Sequence, residues 1–252
     1  WCSFAVALIT YTLTLEPTVS SWDCGEYIST AVNLEVGHPP GAPLFQMLGA
    51  FFSIFAIEQS QIGFIMNLMS GVASAFTVLF MFWSISILLS KISSSLKSKT
   101  DNYLTILISS FIASLSFIFT DTFWFNAVET EVYAMATLIM SLLFYLGLRW
   151  EQEMHLPKGN RWLILISFVV GLSFGVHFMG LLTIPAIGLI YFFKNYKPIT
   201  IKKFILANVV VVGILMFVFK LLAPNVLRYF SVLEVFFVNS VGLPFNSGTI
   251  IA

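Results

Sequence analysis

Ser20-Ser-Trp-Asp-Cys-Gly-Glu-Tyr27, followed by Gly37-His-Pro-Pro-Gly-Ala-Pro43, is a polar, carboxylate-bearing stretch set between long apolar runs. The runs that flank it, residues 1–15 and 62–89, lie near the ~20 residues a helix needs to cross a hydrocarbon core. In lipid every backbone polar group must be satisfied within the chain, and these runs lack the alternation of a barrel strand. The stretch therefore reads as the first external loop, residues 16–61, of an all-α, polytopic membrane helical bundle. Its divider, Gly37 to Pro43, holds three prolines and two glycines and cannot be helical throughout. Two short juxtamembrane helices are expected on either side of it, over about 21–35 and 43–57.

Composition agrees. A hydrophobic fraction of 58% with 10% charged residues and a mean hydropathy of +0.94 exclude an ordinary soluble domain. About seven spans are expected, near 1–15, 62–89, 104–120, 131–149, 162–176, 178–193 and 204–222. The run from 163 to 193 is too long for one crossing and is split near His177 and Gly180. Charge favours the split. With it, Lys91, Lys97, Lys99, Arg149, Lys158, Arg161, Lys194, Lys197, Lys202 and Lys203 fall on one side, and only Lys220 and Arg228 on the other. That asymmetry makes the basic side cytoplasmic. The chain opens inside an apolar run and stops in a Gly/Pro/Asn-rich segment, so it reads as part of a longer protein, truncated at both ends.

The acids do the reverse: Glu16, Asp23, Glu26, Glu35, Glu58, Asp121, Glu129, Glu131 and Glu234 fall on the outer side. Acids contribute little to orientation, so their gathering points to an acidic site on the non-cytoplasmic face. Trp22 and Trp124 there, with Trp150 and Trp162 opposite, fit interfacial belts. Gly171-x-x-x-Gly175 allows close helix approach. Cys2 and Cys24 fall at opposite ends of the first span, too far apart for a disulfide.

Asp23 and Glu26 stand at i, i+3 spacing, where two carboxylates raise one another's pKa and suit general-base work. The bland alternative is a capping box, Ser20 with Asp23 three residues on, its carboxylate bonded to free helix N–H groups. Glu129 and Glu131 are about 200° apart on a helix and cannot form a same-face pair; a solvated loop is the competing reading. His38 and His177 read as interfacial, hydrogen-bonded histidines or as ligands. With nearby acids they could hold a divalent metal, but no spacing of the H-E-x-x-H kind supports one, so no metal is indicated. There is no P-loop, G-x-S-x-G, C-x-x-C or dinucleotide fingerprint, and the basic residues form no nucleic-acid patch.

Leu15-Glu-Pro-Thr-Val-Ser-Ser-Trp-Asp-Cys-Gly-Glu-Tyr27, Leu34-Glu-Val-Gly-His-Pro-Pro-Gly-Ala-Pro-Leu44, Val128-Glu-Thr-Glu-Val-Tyr133 and Gly175-Val-His-Phe178 resemble the bacterial proteins grouped with the transmembrane-protein-260 O-mannosyltransferases, of the GT-C superfamily of membrane glycosyltransferases. That resemblance implies a first external loop with two juxtamembrane helices and a catalytic carboxylate, placed here at Asp23. It also implies a sugar donor on a polyprenyl or dolichyl phosphate, a hydroxyl acceptor on an exported protein, and residence in a bacterial inner membrane with the site facing outward. Beside Asp23, Glu26 would orient the acceptor or tune the base. His38, Glu129, Glu131 and His177 would contact substrate, Arg228 would stabilise the leaving phosphate, and Trp22 and Tyr27 would line a sugar platform. No cofactor is expected beyond the lipid-linked donor. Transfer to a lipid or glycan acceptor, a transporter or flippase of lipid-linked sugars, and a non-catalytic scaffold are the rival readings. A transporter should carry its coupling acids mid-membrane, whereas these acids cluster at span ends.

Overall fold

The computed structural model describes residues 1–95 and 102–252, and it contains helices and no strands among them. Lys97 and Lys99, assigned above to the cytoplasmic side, lie outside the described residues. The chain forms two compact units, Trp1–Thr183 and Ile184–Ala252.

In the first unit α1 spans Cys2–Leu13, α2 Cys24–Asn33, α3 Pro43–Ser53, α4 Ile62–Ser95, α5 Tyr103–Ile118, α6 Asp121–Ala127, α7 Val132–Glu153 and α8 Asn160–Ser173. The two short helices expected within residues 16–61 are present as α2 and α3. In α2 the residues Cys24, Tyr27, Ile28 and Ala31 make the buried stripe of an amphipathic helix. It ends at Leu34, which adopts the left-handed conformation (φ 54°) usual just past a helix end. The two helices dock through Tyr27 on Phe45, with ring centroids 5.2 Å apart, and through Gln46 Nε2, which donates to Thr30 Oγ1 at 2.7 Å.

α4 is the centre of this unit, packed by α1, α5 and α7. Its small residues Gly71, Ala73, Ser74 and Ala75 are buried and let neighbouring backbones come close, the packing that operates when lipid removes the hydrophobic drive. Ala7 and Tyr11 of α1, Ala75 and Val78 of α4, Ile118 and the α6 residues Phe123 and Ala127 form one core cluster. The Tyr11 hydroxyl donates to the Ile118 carbonyl at 3.2 Å. α4 and α7 run side by side in the same direction. Thr130, before α7, bonds Asn67 near the start of α4, and Lys91 pairs with Glu151 near their ends. From Asn67 to Lys91 a helix rises roughly 36 Å, somewhat more than the ~30 Å hydrocarbon core.

Among the described residues, four helical stretches are long and apolar enough to cross a membrane: Gln59–Ser95, Val132–Glu153, Phe178–Asn195 and Ile201–Ser240. α5 and α6 make a fifth only as a pair bent by 72°. The apolar α1 and α8, 12 and 14 residues long, account for the other two expected spans and are shorter than a perpendicular crossing needs. Residues 121–127, which fall between the expected spans 104–120 and 131–149, are helical.

The chain breaks after α8, as expected from the 163–193 run. His177 is extended (φ −163°, ψ 146°), and a 3₁₀ turn, Phe178–Leu182, follows. Of the two glycines spaced for close helix approach, Gly171 faces open space, whereas Gly175 lies against Leu44, 2.7 Å from where a Cβ would stand. Trp150 is buried (7% exposed) and is no interfacial anchor. Trp124 donates to Thr14 Oγ1 at 2.9 Å and ties α6 to α1. Cys2 and Cys24 are free thiols.

In the second unit α9 spans Thr183–Asn195, α10 Ile201–Phe217, α11 Ala223–Val235 and α12 Ser247–Ile251. The span expected to stop at 222 continues through π turns at Val218–Leu222 and Phe236–Ser240. Pro224 sits in the first turn of α11, where a missing N–H is tolerated.

Candidate active site

The nine acids expected on one face divide by what holds them. Glu58 forms a capping box with Gln61 on a 3₁₀ turn, and Asp121 sits in the first turn of α6. Glu234 of the second unit accepts the Asn246 and Thr249 backbone N–H groups. Glu35 is exposed just past the end of α2. Asp23, Glu26, Glu129 and Glu131 come together with Glu16 where the 16–24 segment meets the segment before α7.

Asp23 is the N-cap of α2, yet its side chain makes no cap bond, so the capping-box alternative does not describe it. Ser20 instead donates its hydroxyl to Glu129 Oε2. The Asp23 side chain is 56% exposed, with the His38 Nε2 at 3.9 Å. Trp22, which precedes it, is 87% exposed and has φ 60°, uncommon for a bulky residue. Ala42, where the proline turn enters α3, is left-handed as well (φ 37°).

Glu26 accepts the His38 backbone N–H at 2.6 Å and faces its Nδ1 at 3.1 Å. Those two bonds hold its carboxyl below the ordinary carboxylate value. The mutual raising expected of Asp23 and Glu26 is therefore not found at Glu26, because the proline turn delivers a histidine to it. The raised acid is Glu131, buried at the N-cap of α7. Desolvation first, then the charges of Glu129 and Asp23, lift it to about 7, while the nearby Asp23 and Val132 backbone amides offset part of the rise. Glu129 is raised for the same first reason.

Tyr27 joins these groups. Its ring lies 5.7 Å from that of His38. Burial, then the charges of Glu131 and Asp23, push its phenol up to about 12, so it remains a neutral hydroxyl. His177 lies beside Tyr133 in the first turn of α7. Its ring is 5.5 Å from Tyr133, and the backbone N–H groups of Leu44 and Phe45 donate to the Gly175 carbonyl at 2.7 and 3.1 Å. His177 Nδ1 accepts the Met179 N–H at 3.2 Å. Burial lowers its pKa, leaving a neutral ring with its proton on Nε2. Arg228 belongs to the second unit, exposed on α11.

Sequence spacing shows no metal motif, but folding brings ligand atoms of Asp23, Glu26 and His38 within 4.8 Å of one another, a set that could ligate a divalent cation. Asn67, not singled out in the sequence, proves central. It is fully buried, its Nδ2 donates to the Glu16 and Thr18 carbonyls at 2.8 Å each, and its Oδ1 accepts the Thr130 hydroxyl at 2.6 Å. The available signal was an amide side chain inside an apolar span, which has to find partners.

Residues 23–200 match the family described as the protein O-mannosyl-transferase TMEM260 N-terminal domain. The chain is 27% identical over 165 residues to "Protein O-mannosyl-transferase tmem260" of Dictyostelium discoideum, covering 63% of this chain and 18% of that protein. It is 26% identical over 170 residues to "Protein O-mannosyl-transferase TMEM260" of Mus musculus, covering 68% of this chain and 22% of that protein. The chain thus spans about a fifth of the length of these relatives. No solved structure matches it.

Proposed function

This chain belongs to the family of the protein O-mannosyl-transferase TMEM260 N-terminal domain, and on that premise we propose that it forms the catalytic membrane part of a GT-C-type glycosyltransferase. The donor is a polyprenyl-phosphate sugar, mannose by analogy with the relatives' names. The acceptor is a Ser or Thr hydroxyl of an exported protein. An Asp23 carboxylate oxygen takes the hydroxyl proton as the acceptor oxygen attacks the anomeric carbon. The bond from that carbon to the phosphate oxygen breaks on the opposite face, the configuration inverts, and polyprenyl phosphate leaves.

One observation carries the assignment of the base: Asp23 offers a carboxylate that is more than half exposed at the start of a buried-faced helix and is not engaged in capping it. Glu26 and His38 hold the proline turn beside it. Tyr27 and His177 present polar edges to substrate, Glu129 and Glu131 set the charge behind the base, and Trp22 contacts the sugar. The spans number about seven. The charge asymmetry along the sequence supports a site on the non-cytoplasmic face of an integral membrane protein, and the resemblance of its motifs to bacterial proteins supports a bacterial inner membrane.

The test is Asp23→Asn in a purified assay with polyprenyl-phosphate mannose and an acceptor peptide. General-base assistance contributes roughly 10²–10⁴ in rate, so transfer should fall by that factor while the protein keeps its elution profile and melting temperature. Turnover at the wild-type rate in the folded variant removes Asp23 from the role.

A further inference from the structure

We propose that Asn67 is the positioning residue of this site, fixing the segment that carries Asp23 against the segment that carries Glu131. Its effect on turnover rests on the transferase reading above; its effect on the two segments does not.

An asparagine amide can make four hydrogen bonds, and Asn67 uses them across three pieces of chain. Two donors go to the carbonyls of Glu16 and Thr18, in the segment leading to Asp23. The acceptor takes the hydroxyl of Thr130, between Glu129 and Glu131. The Cys24 thiol, next to Asp23, makes a weak contact with the same oxygen at 4.0 Å. The surroundings repeat the linkage. Glu16 N–H donates to the Val128 carbonyl at 3.1 Å, Ser20 donates to Glu129, and Gly63 on α4 lets the Thr18 backbone come within 3.1 Å of where a Cβ would stand.

A buried amide in an apolar span is costly unless every bond is made, and a shape-matched apolar residue would fill the space. What an apolar residue would lack is the set of directional bonds that fix two loops relative to each other. Asp23 and Glu131 sit directly beyond those bonds, so the separation of the two carboxylates follows from the geometry at Asn67.

Cys24 supplies a built-in reporter, because it is fully buried and adjoins Asp23. The full-length protein is purified in detergent as wild type, Asn67→Ala and Thr130→Val; the last removes one hydroxyl at nearly constant shape. N-ethylmaleimide labelling is followed on the Cys24 peptide by mass spectrometry, alongside kcat and KM for the lipid-linked donor. Losing a buried hydrogen bond should speed local opening by about tenfold or more. Cys24 labelling is expected to rise by that factor in Asn67→Ala and by less in Thr130→Val. kcat should fall about tenfold or more while KM stays within about twofold. Unchanged Cys24 protection in folded Thr130→Val overturns the proposal, whether or not Asn67→Ala folds. Faster labelling with unchanged kcat overturns it as well. Faster labelling in the variants, with a folded wild type that transfers no sugar, leaves the clamp standing and removes the transferase reading.

Discussion

Glu131→Gln should stabilise the protein near neutral and mildly alkaline pH and change little in acid. In the folded protein the Glu131 carboxyl is lifted from 4.5 to about 7 by burial and then by Glu129 and Asp23. The folded state therefore holds this proton more tightly than the unfolded chain does. Its contribution to stability is complete below about pH 4.5, is lost progressively as pH rises to about 7, and stays lost above that. At about 1.4 kcal/mol per pK unit the loss is on the order of 3–4 kcal/mol. Glutamine mimics the protonated acid and carries no such slope. Thermal unfolding, followed by tryptophan fluorescence at one scan rate, should give a melting temperature for the variant roughly 10 °C above wild type near pH 8. The gap should close toward pH 4.5. Subtracting one protein from the other cancels every titration the two share. A gap that is flat across this range, or that widens toward acid, refutes the charge-crowded burial assigned to Glu131.

Two further outcomes test the packing that frames the site. In Gly175→Ala the new methyl would lie 2.7 Å from Leu44 Cβ, in a backbone contact already fixed by the Leu44 and Phe45 N–H bonds. Stability should drop by about 1–3 kcal/mol, and hydrogen exchange should quicken over the first turn of α3; unchanged exchange there contradicts the docking. Trp150→Ala, by chemical unfolding, should cost about 3–5 kcal/mol as a core truncation does; a near-neutral result would return Trp150 to the membrane interface.

Much of the fold was legible because lipid makes strong demands on sequence. Apolar length marked the spans, and the proline turn at 37–43 separated α2 and α3 close to where they were expected. The span expected to end at 222 does not stop there, because the helix passes through a π turn at Val218–Leu222 and continues with Pro224 in the next first turn. α6 was hidden in an aromatic-rich stretch, and its N-cap Thr120 makes no cap bond, its hydroxyl donating back to the Phe117 carbonyl at 2.8 Å. At the site, the residues of the four motifs were visible but their partners were not. Ser20 lies 109 residues from Glu129, and Asn67 lies 63 from Thr130. Such pairings depend on α4 and α7 lying side by side, which no local pattern encodes. The same holds for Glu26, whose neighbour in sequence is Asp23 but whose controlling neighbour in space is His38.

Acidity at this end of the first unit has a cause that owes nothing to catalysis, and that cause narrows the choice of catalytic group. Helix N-termini favour carboxylates and C-termini favour cations. Glu26 lies in the first turn of α2 and Glu131 caps α7, while Lys91 and Arg149 lie near the far ends of α4 and α7. Most acids here also have a partner that accounts for them: Glu26 has His38, Glu129 has Ser20, and Glu58 has its own turn. Glu131 is too buried to meet a large acceptor. Asp23 differs from each of these. Its carboxylate makes no cap bond, stands at 3.9 Å from the nearest histidine nitrogen and is more than half open, while its backbone is held: its carbonyl accepts the Tyr27 N–H at 2.9 Å and its amide bonds Glu131. A group held by its backbone and free at its side chain is positioned to act on something that arrives from outside the chain.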